Sequence, residues 1–118
     1  MHPFDAMNEC QDHLVHLARA HVEALAAEAF RTSLHRAPTP GLAEVLRTVY
    51  DLFVLTRIEA DRAWFLEANV MEAPQSRAVR TLVNRLCLEV REHAGLLVDG
   101  FGIPDAVLGA PAGLKETE

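Results

Sequence analysis

Between residues 5 and 110, proline occurs in only three places: "RAPTPG" (36–41), "EAPQ" (72–75) and "DGFGIP" (99–104). Proline removes a backbone donor and clashes with the preceding helical turn, so each of these stretches must be a joint or a helix start. The intervals between them are roughly thirty residues long, and their apolar residues recur with a helical, not an alternating, period. The chain therefore has room for three long helices and little else.

The first segment runs from Phe4 to Leu34. Leu14, Leu17, Ala18, His21 and Leu25 stack on one face, which Val15, Val22 and Ala29 widen, while Glu9, Asp12, His16, Arg19 and Glu23 form a polar line expected to meet solvent. Thr39 is placed to N-cap the second helix, with Pro40 at its first position, where a missing N–H costs nothing. That helix extends through Leu42, Val45, Leu46, Val49, Phe53, Ala60 and Trp64 to Val70. Pro74 opens the third, whose stripe is Val79, Leu82, Val83, Leu86, Val90, Leu97 and Phe101; Gly100 and Gly102 stop it, and Pro104 begins a last short turn. The predicted fold is all-α: an up-down bundle of three long helices plus a short C-terminal helix, one domain over residues 1–111, with a flexible tail over 112–118.

Such a trio carries more apolar surface than it can use. Half of the 118 residues are hydrophobic. The stretch "LARAHVEALAAEAF" (17–30) nearly lacks a polar side, and the second helix bears Tyr50, Phe53, Trp64 and Phe65 around its circumference. A helix that is apolar most of the way round is surrounded by protein. A fourth element or a partner is therefore expected, and Val15, Val22, Ala26, Ala29, Phe30, Tyr50 and Phe65 are the candidate interface residues.

Charge narrows the partner. At a net charge of −6, with Lys115 as the single lysine, the chain suits neither a nucleic acid nor an anionic membrane. No stretch approaches a bilayer span and the N-terminal residues lack a signal-peptide pattern, so a cytoplasmic protein is expected. Cys10 and Cys87 lack CxxC spacing and read as reduced, buried and inert.

Chemistry is sparse. Six histidines invite a metal search: Glu9 and His13, and Asp12 and His16, share helix faces. Yet no Glu-x-x-His or HExxH occurs, so structural or solvated histidines are expected, with His93 at a helix C-terminus. "GFGIP" has a lone G-x-G without the third glycine of a dinucleotide loop. In "RIEADRAW" (57–64), Arg57 and Asp61 are spaced for a salt bridge within one helix.

Four stretches carry a resemblance: "CQDHLVHLARAHVEALAAEAF" (10–30), "YDLFVLTRIEADRAWFLEANVMEAPQSRAV" (50–79), "VNRLCLEVREHAGLLVDGFGIPD" (83–105) and "VLGAPAG" (107–113). In order and spacing they resemble the C-terminal helical domain of flavin-dependent acyl-CoA oxidases. The resemblance implies a larger enzyme in which FAD accepts hydride from an acyl-CoA while a glutamate removes the α-proton, giving 2-enoyl-CoA and, with oxygen, hydrogen peroxide. No position here corresponds to that glutamate, and the flavin-binding domains have no counterpart. The expectation is thus a non-catalytic helical subunit without its own cofactor, metal or catalytic residue. It would assemble with a FAD-dependent oxidase or dehydrogenase-type core in fatty-acid β-oxidation, docking through the broad apolar face of its first helix. The alternatives are a homodimeric module holding a small apolar ligand, and a fragment.

Overall fold

The computed structural model describes residues 3–107 and contains, among them, helices and no strand. The element order is α1 (Pro3–Glu9), α2 (Gln11–Leu34), α3 (Pro40–Ala60), α4 (Arg62–Glu67), α5 (Ala73–Glu92) and α6 (Ala94–Asp99), closed by a 3₁₀ turn over Asp105–Val107. The all-α, up-down architecture expected from the sequence is present. The boundary expected at 111 and the tail beyond it lie outside the described residues.

Each of the three expected helices is a pair, broken at a single residue: Cys10, Asp61 and His93. The breaks are bends, because hydrogen bonding runs on through them. Leu14 donates to the Cys10 carbonyl at 3.1 Å, Phe65 to Asp61 at 3.2 Å and Leu97 to His93 at 3.0 Å. None contains proline or glycine. At His93 the amide bonds to Val90, three residues back, which tightens the last turn of α5. His93 is accordingly the C-cap of α5.

The joints follow local chemistry. Thr39 Oγ1 accepts from the Leu42 amide at 3.2 Å, so Thr39 caps α3 with Pro40 behind it. The second rod stops at Glu67, short of Val70, because Asn69 takes the left-handed conformation (φ 56°). There Asn69 bonds to the Leu66 carbonyl at 3.1 Å and Val70 to Phe65 at 3.0 Å, the paired bonds of a Schellman stop. Glu72 then caps α5, with Gln75 reaching back to its amide at 2.8 Å. Gly102 supplies the positive φ (61°) that turns the chain away after α6.

The rods lie side by side with α3 in the middle. Its main seam is with α5 and its second with α2, and no comparable seam joins α2 to α5 among the described residues. Val83 and Leu86 of α5 are the most withdrawn from water among the described residues (6% and 8% exposed), with Val79, Leu82 and Val90 half-buried beside them. The expected stripe of the third helix thus forms the seam from Val79 to Val90, while Leu97 lies beyond it in α6 and Phe101 is 78% exposed.

Two magnitudes show how open this arrangement is. The chain exposes 9608 Å², against about 6,300 Å² for a compact monomer of its mass. Its radius of gyration is 19.5 Å, where about 13.5 Å is expected at this length. Stability in the isolated chain should therefore reside in the α3–α5 seam. Leu86→Ala is expected to lower unfolding free energy by about 2–4 kcal/mol. Leu25→Ala on α2 should change it by less than about 0.5 kcal/mol, since the leucine is exposed in the single chain. Paired denaturant titrations check this; equal losses would contradict the seam assignment.

Candidate functional site

The placement of α2 changes the expectation for its polar face. The residues turned toward α3 are His16, Glu23, Ala27, Phe30 and Leu34, all half-buried. Leu14, Val15, Leu17, Val22 and Leu25, of the broad apolar face expected to dock a partner, are between 50% and 67% exposed. His21 of the same face is also exposed, as are Ala18, Ala26 and Ala29. Of the line expected to meet solvent, His16 and Glu23 are half-buried toward the neighbouring rod and Arg19 pairs with Asp61 on it, while Glu9 and Asp12 are exposed; the broad apolar face points outward.

An ion-pair ladder explains the orientation. Arg19 of α2 donates to Asp61 Oδ1 at the end of α3, and Arg57 Nη1 of α3 lies 3.5 Å from Glu23 Oε1 of α2. Arg19 Nε is also 3.7 Å from Glu23, which links the two rungs. Arg57 and Asp61, expected to pair with each other, instead each take a partner from α2. Farther along, the Phe30 and Tyr50 rings meet edge to face, centroids 5.5 Å apart, so the seam runs antiparallel from charges to aromatics.

Where the bend at Asp61 meets α2, Asp12, His13, His16, Leu17, Ala20, Asp61, Trp64 and Phe65 line an open groove of about 490 Å³. The His16 and Trp64 rings stand 6.5 Å apart, and Trp64 meets Phe65 edge to face at 5.3 Å. Among the described residues, no group of three or more His, Cys, Asp or Glu side chains comes together as a metal site. On the outer flank of α2, Arg31 donates to both oxygens of Glu28 (3.0 and 2.7 Å); those hydrogen bonds, then the guanidinium charge, hold the Glu28 carboxyl below its usual range.

The seven candidate interface residues divide between two places. Val15, Val22, Ala26 and Ala29 lie on the open side of α2. Phe30 and Tyr50 are half-buried in the α2–α3 seam, and Phe65 lines the grooves beside it. The cysteine expectation needs correction: Cys10 and Cys87 are free but exposed, Cys10 because it sits at the α1–α2 bend. A second greasy surface, outside the seven candidates, lies at the end of the third rod, where Leu96, Val98, Phe101, Ile103 and Val107 are each more than half exposed. Its signal was the run of apolar residues on both sides of "DGFGIP".

The acyl-CoA oxidase family pattern matches residues 1–116. The chain belongs to the acyl-CoA oxidase family. It is 31% identical over 112 residues to acyl-coenzyme A oxidase 2, peroxisomal, of Arabidopsis thaliana, covering 95% of this chain and 16% of that one. It is 28% identical over 108 residues to an acyl-coenzyme A oxidase-like protein of Mus musculus (92% and 17% covered) and 30% over 100 residues to human peroxisomal acyl-coenzyme A oxidase 1 (85% and 15%). The chain thus spans about a sixth of the length of these curated relatives. No solved structure matches it significantly.

The family is flavin-dependent, and the groove at Trp64 tests whether these residues suit FAD. They do not: a dinucleotide brings a pyrophosphate, and the lining offers the carboxylates of Asp12 and Asp61 with no lysine or arginine. No helix among the described residues is long and apolar enough to cross a membrane. For the ladder, Asp61→Ala should destabilise the chain by about 1 kcal/mol or less, and a cycle with Arg19→Ala should show coupling that shrinks in high salt. Coupling that persists unchanged in molar salt would contradict an ion-pair origin.

Proposed function

We propose that the chain is a non-catalytic helical module that works by assembly with a FAD-dependent acyl-CoA oxidase or dehydrogenase-type core, which converts acyl-CoA to 2-enoyl-CoA. One observation carries the reading: a chain matching the acyl-CoA oxidase family over residues 1–116 keeps an apolar stripe facing water along α2. Surfaces of that kind mark assembly sites, and obligate interfaces resemble a core cut in half.

The chain offers two such surfaces: the outward side of α2, with Val15, Val22, Ala26 and Ala29, and the α6 end with Phe101. Phe30, Tyr50 and Phe65 stiffen α2 and α3 from behind, so the α2 surface is presented on a braced rod. The contribution to chemistry is positional. The module holds neighbouring domains in the geometry that shields a flavin site, while cofactor and catalytic base belong to the core. The free thiols of Cys10 and Cys87 suit the proposed cytoplasmic location.

Co-expression with an acyl-CoA oxidase core lacking its last helical domain tests the reading. Soluble, flavin-loaded core and peroxide production with acyl-CoA are expected to rise together, while the chain alone yields no peroxide. If solubility, flavin content and activity all stay at the level of the core alone, the proposal fails.

A further inference from the structure

We propose that the groove where the α3–α4 bend meets α2 is a binding site for a small organic monocation with an apolar body, of the quaternary ammonium class. The site is distinct from the outward side of α2, and its occupant is no part of the preceding reading.

Charge selects the sign of the ligand and the number of its charges. Asp12 and Asp61 line the groove, and no lysine or arginine does. Asp61 is already matched by Arg19 of α2. Asp12 is exposed and makes no ion pair among the described residues. One negative charge is therefore left over at the groove, on a chain whose net charge of −6 adds a field of the same sign. A single positive charge balances it. A bare metal ion is a poor match, because it needs several converging donors and no three His, Cys, Asp or Glu side chains come together among the described residues.

The walls select the body that carries the charge. Leu17, Ala20, Trp64 and Phe65 make the groove largely apolar, and its volume of about 490 Å³ lies within the range of small-molecule sites. Among side chains, an indole holds a cation over its face best. Trp64 is 53% exposed, so its ring is open to a ligand, and Phe65 braces it edge to face at 5.3 Å. The His16 ring stands 6.5 Å from the indole and tilted by 32°, at the outer limit of ring contact, so it does not stack flush on it. A compact, strongly hydrated cation would have to shed water against these walls. A quaternary ammonium spreads its charge over methyl groups, keeps little bound water and presents carbon to the ring. An uncharged ligand of the same shape would leave Asp12 unmatched and gain nothing from the negative face of the indole.

Trp64 is the single tryptophan of the chain, so its emission reports on this groove. The full chain is titrated with choline at mildly alkaline pH, where imidazole is neutral, with potassium chloride holding the ionic strength constant. A saturable change in emission with a midpoint in the millimolar range is expected. The choline methyl protons should also shift upfield in NMR spectra, the mark of nuclei lying over an aromatic face. Dimethylbutanol, the uncharged isostere of choline, should give no saturable change. Asp12→Asn should weaken choline binding severalfold, and Trp64→Leu, followed through the methyl shift, should abolish it. Both residues are exposed, so helical circular dichroism is expected to stay unchanged. Asp12→Asn, a surface change, keeps the test decisive where Trp64→Leu fails to fold. No saturable response, a response that dimethylbutanol or potassium chloride reproduces, or undiminished binding in Asp12→Asn overturns the proposal. No oxidase core enters this experiment, so a failure here leaves the preceding reading standing, and a failed co-expression leaves this site standing.

Discussion

The linked ion pairs between α2 and α3 set everything else in this molecule. Asp61 holds Arg19, Glu23 holds Arg57, and Arg19 ties the two rungs together, so α2 has one rotation about its axis in which its charges are matched. Rotating it by half a turn would bring Leu14, Val22 and Leu25 onto α3. It would also leave the half-buried carboxylates of Glu23 and Asp61 without their guanidinium partners. Exposed pairs of this kind are individually worth little. Acting together, and continued by Phe30 against Tyr50, they orient a helix whose apolar side then has no occupant within the chain.

That orientation gives α2 two adhesive sides. Small residues, charges and one aromatic pair meet α3, while leucine, valine and alanine meet water. The helix sits at the edge of the row but has the composition of a helix in the middle. The same division explains why so little is buried. Apart from the α3–α5 seam around Val83 and Leu86, contacts are one layer deep, and a one-layer row of rods cannot enclose an interior. The chain spans about a sixth of the length of the Arabidopsis, mouse and human relatives it matches.

Legibility from sequence followed the range of the interaction. Thr39 and Pro40 announced the start of α3, Pro74 that of α5, and the stripe from Val79 to Val90 named its own seam, because caps, breakers and one-sided periodicity act within a turn or two. The bends at Cys10, Asp61 and His93 gave no such sign: no breaker residue stands there. At Asp61 the carboxylate is committed to Arg19, a residue 42 positions away. The stop at Asn69 was equally hidden, since asparagine tolerates the left-handed conformation without demanding it. The family was readable in the order of four stretches.

The sequence by itself determined three helical rods, their joints, the scarcity of chemistry-bearing groups and the surplus of apolar surface. Those are properties of residue type and spacing along one chain. Which side of α2 would pair with α3 was decided only by tertiary structure. Periodicity reports that a helix has an apolar side and a polar one, but not which side its neighbour will claim. Here Arg57 and Asp61 on the neighbouring rod claimed the polar side, and the leucines were turned outward.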